Sequence, residues 1–567
     1  MTIQFDEEKQ NKKLDELRKQ EEEDLVSILA DSKYHIPYIN LAGMLIENEA
    51  LRVVTEKEAR ELQVAPFKIM AKKVHIAVKS PTNDTTNLLK ENLIQKGYAP
   101  VFYMASSASL EKVWARYAEL SFATTSKKGS LDIESSIVAE LGEKLRTMAD
   151  VKQAVEGTQK ENKVHRISRL MEIMIAGGIS LNASDIHIEP EEKDVRIRFR
   201  LDGLLHDVFI VDHPTYKLLN SRLKLISGLK LTSENKAQDG RFSIFLNETE
   251  INMRVSLIPG AYGESYVMRI LNPKSIQVKL EDMGIEPKLY EIIQTEIQKP
   301  HGMILLTGPT GSGKTTTLYA FLSKIYTPET KIITIEDPIE YHLKGITQTQ
   351  TDNKKGYTFL EGLRSALRQD PDVIMVGEIR DAETAKIAVE SALTGHLVFS
   401  TLHTNTAAGV IPRLTDLEIN PKILPSALSL AIAQRLVRKL CIVCKKEKVV
   451  TEEEKIQITK ILTDAKSQGK DLTFYGIKDG DEIHLWEPVG CDKCNNTGYK
   501  GRMGIFEAIM SDESIEKIMI QNPSEREIKR VANKQGILDM KQDGTIKALK
   551  GITSLEEVKS EVDLGEE

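Results

Sequence analysis

One short loop constrains the fold of this chain more than any other feature. Residues 308–315 read GPTGSGKT, a complete G-x-x-x-x-G-K-[ST] pattern, between the apolar run MILLT and a segment that predicts a helix from about Thr315. Glycines at this spacing let consecutive backbone N–H groups turn toward one anion, and the start of the helix adds positive charge. The pattern therefore predicts a phosphate-binding loop in an α/β domain, where strands and helices alternate from about residue 286 around a parallel sheet.

The loop indicates a nucleoside triphosphate as the ligand. We expect the Lys314 ammonium to bind the β- and γ-phosphates and the Thr315 hydroxyl to bind Mg²⁺. The predicted nucleotide-binding set is Gly308, Pro309, Thr310, Gly311, Ser312, Gly313, Lys314, Thr315 and Thr316.

Acidic residues follow two other predicted strands. The run KIITI precedes the acidic segment 336–340, and VIMV precedes Gly377 and Glu378. In open α/β sheets ligands lie at the carboxyl ends of the strands, so both acidic sets should face the loop. Because Gly377 stands where many phosphate-loop proteins carry the aspartate that holds Mg²⁺, a carboxylate from 336–340 is expected to assist Glu378. The structural alternative is that these acids only cap helices.

A third predicted strand, HLVFSTLH, ends at His403. A histidine at a strand end beside a phosphate site can contact the γ-phosphate, whereas a lone histidine often fills a structural position. The residues alone leave both interpretations open.

All four cysteines belong to two C-x-x-C pairs, Cys441 with Cys444 and Cys491 with Cys494. Two such pairs fit one tetrahedral, structural Zn²⁺ whose four thiolates leave no open coordination position. The 46 residues from 445 to 490 exceed the usual zinc-ribbon spacing. A redox pair or unrelated buried thiols are the alternatives, and zinc is favoured because no thioredoxin-like unit surrounds either pair.

Composition and charge exclude several classes of protein. The chain has 567 residues, of which 41% are hydrophobic and 28% charged, close to the globular average. No run approaches 18 apolar residues, and the charged beginning MTIQFDEEKQ lacks the pattern of a secretory signal, so we expect a cytosolic protein without a membrane span. Basic residues number 77 and acidic ones 84, and the net charge of −7 weighs against nucleic acid as a partner.

Changes in composition and periodicity divide the chain into segments. The predicted division is a charged N-terminal segment (1–30), a small α/β interaction module (31–120), a linker (121–160), a second α/β block (161–273), a hinge linker (274–285), and a phosphate-loop ATPase domain (286–567) that includes a zinc-binding region (437–505).

Taken together, the motifs resemble those of the GspE/PilB family of type II secretion and type IV pilus assembly ATPases, over nearly the whole chain. The matching segments are GPTGSGKTTT (308–317), TIEDPIE (334–340), VIMVGEIRD (373–381), TGHLVFSTLHTNT (394–406) and GCDKCNNTGYKGRMGIFE (490–507). Upstream, ASDIHIEP (183–190), QDGR (238–241) and MRVS (253–256) resemble the family's second N-terminal domain.

The resemblance implies an α/β architecture with a RecA-like ATPase domain, a PAS-like second N-terminal domain and a small first N-terminal domain. It also implies a homo-hexameric ring on the inner face of the cytoplasmic membrane, with ATP, Mg²⁺ and Zn²⁺ bound. The implied partners are an inner-membrane platform protein and a membrane-anchored or cytoplasmic docking protein, and the implied work is assembly of pilin subunits.

The resemblance also assigns roles to individual residues. Glu340 would be the catalytic base, Glu378 would help to hold Mg²⁺ and the attacking water, and His403 would contact the γ-phosphate region. Arg241 and Arg254 would close on the γ-phosphate, since a guanidinium neutralises charge that develops in phosphoryl transfer. Without the resemblance, these two arginines are better interpreted as charges at strand edges.

Several alternatives remain at this point. Type II secretion is the alternative within the family, and length with a full first domain favours pilus assembly. Other classes are a nucleic-acid translocase and an ATP-binding scaffold without turnover. Some family members bind cyclic di-GMP through a Leu/Gly/Arg repeat, which we do not find in residues 1–60. Lys236 and Ala237 replace the Arg and Pro that often precede QDGR.

Overall fold

The computed structural model describes residues 20–565, apart from 42–43, 45, 52, 71, 82–83, 96, 118–124, 127–129, 132–134, 159–162, 232–235, 247–248, 274–277, 479 and 522. The predicted segment 1–30, linker 121–160 and hinge 274–285 therefore lie partly outside the described residues. Packing divides the chain into a unit that ends at Glu134 and a unit that spans Ser135–Glu567.

The first unit is built on a small mixed sheet. Strand β1 (Val64–Met70) is antiparallel to β2 (Lys73–Val78), which is parallel to β3 (Ala99–Met104). These strands agree with the α/β character predicted for residues 31–120. We did not predict β1, whose Pro66 is tolerated because it lies on an edge strand beside a register shift.

Helices complete this unit. Residues 20–29 are helical, and the named elements are the π-helical turn Ala30–Tyr34, helices α1 (Asn48–Leu51), α2 (Glu56–Glu61), α3 (Asp84–Gln95) and α4 (Ser107–Tyr117), and the short strands β4 (Thr125–Ser126) and β5 (Ser130–Leu131). Helix α2 begins at a Thr55 capping box.

The second unit begins with a six-stranded antiparallel sheet in the order β8-β7-β6-β11-β10-β9. Its strands are β6 (Asp185–Pro190), β7 (Val195–Leu201), β8 (Leu204–Val211), β9 (Gln238–Leu246), β10 (Thr249–Gly260) and β11 (Gly263–Leu271). Its helices are α5 (Ser135–Lys144), α6 (Met148–Gly157), α7 (Lys163–Ser180) and α8 (His213–Ile226). Ile186 and Ile188 are buried and alternate with polar residues, as in a sheet that has one apolar face.

The rest of this unit is a seven-stranded sheet in the order β14-β13-β15-β16-β12-β17-β20. Its strands are β12 (Gly302–Thr307), β13 (Ile332–Glu336), β14 (Thr347–Gln350), β15 (Val373–Val376), β16 (Leu397–Leu402), β17 (Leu428–Leu440) and β20 (Tyr499–Met510). A separate two-stranded antiparallel sheet pairs β18 (Lys446–Lys448) with β19 (Leu485–Glu487). All neighbours in the seven-stranded sheet are parallel except β17 and β20. The predicted parallel sheet is thus confirmed, whereas the antiparallel edge strand β20 was not predicted because its glycines weaken the strand signal.

Helices cover both faces of this sheet. They are α9 (Pro287–Glu296), α10 (Lys314–Ile325), α11 (Phe359–Leu367), α12 (Ala382–Leu393), α13 (Val410–Asp416), α14 (Leu424–Ala427), α15 (Glu452–Ser467), α16 (Glu513–Met519), α17 (Glu525–Ala532), α18 (Met540–Leu549) and α19 (Leu555–Glu561), with 3₁₀ turns at Leu280–Asp282, Asn353–Lys355, Leu472–Tyr475, Asp492–Cys494 and Asn533–Gln535. Each face of the sheet has its own apolar core. Across the part of the chain that is described, no helix is long and apolar enough to cross a membrane.

Candidate active site

The predicted phosphate loop joins strand β12, an interior strand of the seven-stranded sheet, to helix α10. Gly308, Gly311 and Gly313 have φ values of 140°, 83° and 87°, which favour glycine. A Cβ on Gly308 would lie 2.5 Å from the Gln434 carbonyl oxygen of the neighbouring strand β17. The loop is therefore shaped by glycines that allow close backbone approach, and its N–H groups and the start of α10 form a cradle for an anion.

Lys314 lies across its own loop. Its Nζ donates hydrogen bonds to the carbonyl oxygens of Gly308 (2.7 Å) and Pro309 (2.9 Å). Burial, followed by the charge of Arg435, lowers the pKa of this ammonium, while Glu378 opposes the shift. The Ser312 Oγ is buried without a hydrogen-bond partner among the residues that the structure describes. A phosphate group would supply acceptors to both side chains.

Glu378 follows strand β15 and lies beside the loop. It forms an ion pair with Arg380, and its Oε2 lies 3.3 Å from His403 Nε2. Burial raises the pKa of this carboxyl, but hydrogen bonds and charges from Arg380 and His403 outweigh burial, so the net shift is downward. The structure thus brings the loop lysine, the strand-end glutamate and the histidine together.

Glu336 has a different environment from Glu340. Its side chain is buried at the end of β13 and accepts hydrogen bonds from Tyr319, Thr334 (2.5 Å) and Gln348 (3.1 Å). Burial raises its pKa. These partners make Glu336 a structural residue, so it is not the carboxylate of the 336–340 segment that assists Glu378.

Glu340 contacts the six-stranded sheet. Its Oε2 lies 3.2 Å from Arg254 Nη1, and Arg254 Nη2 donates to the Ile339 carbonyl oxygen at 2.6 Å. Arg241 is opposite Arg254 in the β9–β10 register, on the same face, and is exposed. Of the two predicted arginines, Arg254 contacts the segment that carries Glu340, and Arg241 is its neighbour on the adjacent strand.

The sequence did not identify Arg435 as a residue of this site. It is 9% exposed on β17, and its Nη1 lies 3.1 Å from the position of a Cβ on Gly308. It donates to the carbonyl oxygens of Gln434 (3.2 Å) and Asn405 (3.0 Å). The available signal was the presence of a charged residue inside the apolar run LSLAIAQRLV. Its position beside the phosphate loop could not be predicted, because it depends on the pairing of β17 with β12.

The four cysteines form one cluster. Their Sγ atoms all lie within 4.8 Å of one another, with separations of 3.7 to 3.9 Å for three hydrogen-bond-distance pairs. Metal–sulfur bonds of about 2.3 Å, as in zinc sites, place tetrahedral sulfurs about 3.8 Å apart. The β18–β19 pairing brings the two cysteine pairs together across their long separation in sequence.

Backbone groups also suit thiolates in this cluster. The N–H groups of Gly490, Cys491 and Gly498 point at cysteine sulfurs at 3.2 to 3.3 Å. Burial acts to raise the pKa of Cys494, but the N–H groups of Cys491 and Gly498 lower it to about 7. Burial raises the pKa of Cys444 to about 12 despite the Gly490 N–H. The donor set and spacing therefore fit a four-thiolate metal site.

Comparisons with known proteins identify related families. The family described as Type II/IV secretion system protein matches residues 160–560, and the MshEN domain matches residues 34–120. The type IV pilus assembly ATPase PilB of Myxococcus xanthus is 36% identical over 541 residues, which cover 95% of this chain and 91% of that protein. Type II secretion system protein E of Aeromonas hydrophila is 45% identical over 392 residues, covering 69% of this chain and 75% of that protein. The solved structure of the Legionella pneumophila ATPase DotB aligns with a TM-score of 0.49 at 24% identity, over 69% of this chain and 94% of that one.

Proposed function

The chain belongs to the Type II/IV secretion system protein family, and on this premise we propose that it is the ATPase motor of type IV pilus assembly. Family membership agrees with the resemblance in the motifs and makes the chain an ATP hydrolase. The observation that carries the finer proposal is coverage, because the pilus ATPase of Myxococcus xanthus aligns with 95% of this chain.

Type II secretion is the second candidate. It is favoured by the higher identity to the Aeromonas hydrophila protein, 45%, although that alignment covers only 69% of this chain. Identity in the shared ATPase region reflects common chemistry, whereas the N-terminal regions carry the difference between machines. The larger coverage by the pilus ATPase is therefore stronger support for pilus assembly than the higher identity of the secretion protein is for type II secretion.

The geometry supports ATP with Mg²⁺ as the ligands of the phosphate loop. The loop cradle, Lys314 and the buried Ser312 hydroxyl supply donors for the phosphates. The Thr315 hydroxyl is exposed at the start of α10, and it and Glu378 offer the oxygen ligands that Mg²⁺ prefers. When bound, Mg²⁺ neutralises phosphate charge.

Catalysis then requires a rearrangement at Glu340. In the resting chain its carboxylate is paired with Arg254. The γ-phosphate competes for the guanidinium, and Arg254 and Arg241 neutralise charge on the transferring group. This exchange leaves Glu340 able to accept a proton from the attacking water, while Glu378 and His403 orient groups around the phosphate.

Movement follows from the division of the site between two sheets. Arg254 comes from the six-stranded sheet, and the phosphate loop from the seven-stranded one. ATP holds the two sheets together because it contacts both, and product release lets them separate. Within the predicted hinge 274–285, the 3₁₀ turn Leu280–Asp282 packs against the core of the seven-stranded sheet through Leu280.

The working assembly in this proposal is a homo-hexamer of RecA-like domains on the cytoplasmic side of the membrane. The region matched by the MshEN domain docks a partner of the machine, and an inner-membrane platform protein receives the motion. The PAS-like block, spanning 161–273, carries the arginines, and Zn²⁺ occupies the four-cysteine cluster. In each subunit, one cycle of ATP binding and product release moves the two sheets, and this movement drives the addition of pilin subunits.

A genetic experiment tests the choice of machine. A strain that lacks this gene is complemented with the wild-type chain or with Lys314→Ala, and surface pili and secreted enzymes are measured separately. The proposal expects loss of pili, rescue by the wild-type chain alone, and unchanged secretion. Normal pili with lost secretion would replace the proposal with the type II secretion candidate.

A further inference from the structure

Two hydrogen bonds tie the four-cysteine region to the block that carries the six-stranded sheet. The Asn495 Oδ1 accepts from the Met148 N–H at 2.8 Å, and the Asp202 Oδ2 accepts from the Gly501 N–H at 2.9 Å. Met148 and Asp202 belong to the N-terminal block of the second unit, which consists of the six-stranded sheet and helices α5 to α8. Their partners, Asn495 and Gly501, belong to the ATPase domain. The cysteine region therefore does more than stabilise its own fold.

The Asn495 contact completes the start of helix α6. The Thr147 side chain accepts from the Asp150 N–H, and the Asp150 carboxylate accepts from the Thr147 and Arg146 N–H groups. The Met148 N–H is one of the first-turn donors that have no acceptor inside the helix. Asn495 supplies this acceptor from the cysteine region, and α6 in turn packs against α7 and β8 of the N-terminal block.

The Asp202 contact is made by a tight turn. Asp202 and Gly203 join β7 to β8 with φ values of 48° and 93°, the left-handed backbone of a two-residue hairpin. Arg200 Nη1 donates to the Gly203 carbonyl oxygen at 3.0 Å and holds the turn. The turn thus presents the Asp202 carboxylate to Gly501 in a fixed position.

Both contacts depend on the shape of the loop around Cys494. Asn495 follows this cysteine with a φ of 52°, and the Gly498 N–H donates to the Cys494 Sγ at 3.3 Å. The Gly498 carbonyl oxygen accepts from the Cys441 N–H at 2.9 Å, which joins the loop to the other cysteine pair. A metal ion held by the four thiolates would fix this shape.

The N-terminal block and the ATPase domain face each other across a polar cavity. A cavity of about 90 Å³ separates them beside the two hydrogen bonds, and its lining includes Arg146, His206, Arg438, Lys493 and Lys500. Polar interfaces between domains bind weakly and allow relative motion. A few directed hydrogen bonds beside this cavity can therefore determine whether the N-terminal block stays bound to the ATPase domain.

We propose that the four-cysteine region is a metal-dependent clasp that holds the N-terminal block against the ATPase domain. With its metal bound, the loop 491–501 presents the Asn495 side-chain Oδ1 and the Gly501 backbone N–H to that block. Without the metal the loop loses this shape and both bonds break, so the six-stranded sheet keeps its contacts through Arg254 with Glu340 and Ile339 but loses the clasp. The inference rests on the proposed metal site and not on the choice of machine.

Hydrogen–deuterium exchange of the full-length chain tests the clasp, with two matched pairs of variants. Asn495→Gly removes the acceptor, whereas Asn495→Asp keeps one, and both residues tolerate a positive φ. Asp202→Gly and Asp202→Asn form the same comparison at the hairpin. We expect exchange in residues 146–151 for Asn495→Gly, and in residues 499–503 for Asp202→Gly, to accelerate on the order of tenfold. The acceptor-keeping variants should match wild type, and removal of the metal should reproduce both effects.

Controls separate this result from other causes. Exchange in residues 302–325 of the ATPase core should not change, and metal analysis should find the same metal content in Asn495→Gly as in wild type. Unchanged exchange in 146–151 for Asn495→Gly would overturn the clasp, as would equal acceleration in Asn495→Asp. If metal removal unfolds the chain, the glycine variants decide the question. ATP turnover plays no part in this readout, so failure of the proposed function would be seen separately.

Discussion

Substitution of Glu340 by glutamine should have opposite effects on turnover and on ATP binding. The substitution removes the proposed base, so we expect turnover to fall on the order of 10²-fold or more. It also removes the carboxylate that holds Arg254 at an N–O distance of 3.2 Å. The two side chains are 31% and 29% exposed, so solvent screens the pair and its net value is about 1 kcal/mol. In the variant, ATP no longer has to break this ion pair before the guanidinium can bind the γ-phosphate. The saving of about 1 kcal/mol should tighten ATP binding about fivefold.

A double-mutant cycle isolates the contribution of the ion pair. ATP affinity is measured by calorimetry for wild type, Glu340→Gln, Arg254→Ala and the double variant, under conditions in which hydrolysis is negligible. The tightening should be smaller in the Arg254→Ala background, because no guanidinium is released there. Glu361→Gln, which breaks an exposed pair with Arg364, is the control and should leave affinity unchanged. Weaker ATP binding by Glu340→Gln, or equal tightening in both backgrounds, would refute the reasoning.

Three further predictions concern stability. Lys547→Ala should lower the free energy of unfolding by about 3–5 kcal/mol, because it leaves the buried Asp543 without its ion-pair partner. Lys517→Ala, which breaks an exposed ion pair, is the control and should have little effect. Chemical denaturation measures both. Metal analysis should find about one zinc per chain, and chelation or Cys491→Ser should lower the melting temperature; metal-free protein with unchanged melting would contradict the assignment. Burial lowers the pKa of Lys470 from 10.5 to about 8, so the folded chain binds fewer protons than the unfolded chain between these values. Stability relative to Lys470→Met should therefore rise with pH from about 8 to about 10.5 and stay flat below, and a flat difference throughout would contradict this.

The sequence was sufficient where chemistry depends on residues close together in the chain. Spacing alone predicts the phosphate loop, because three glycines must adopt left-handed backbone conformations within six residues. The cysteine pairs were equally visible. Glu378 and His403 could be placed beside the loop because the ends of parallel strands meet at one edge of a sheet.

Contacts between distant strands could not be predicted in this way. Arg435 reaches the loop because β17 pairs with β12, and the sequence does not specify that order. The pairing of Arg254 with Glu340 depends on how two sheets pack. The alternation of Ile251, Met253 and Val255 was a usable strand signal for β10, which we did not predict as a strand.

Phosphate release from ATP by the purified full-length chain, in the presence of Mg²⁺, tests the central claim most directly. The wild-type chain should turn over ATP continuously. Lys314→Ala and Glu378→Gln should each lose activity on the order of 10²-fold or more, since one removes phosphate charge compensation and the other a ligand for Mg²⁺ and water. Hydrolysis by both variants at the wild-type rate would contradict the account.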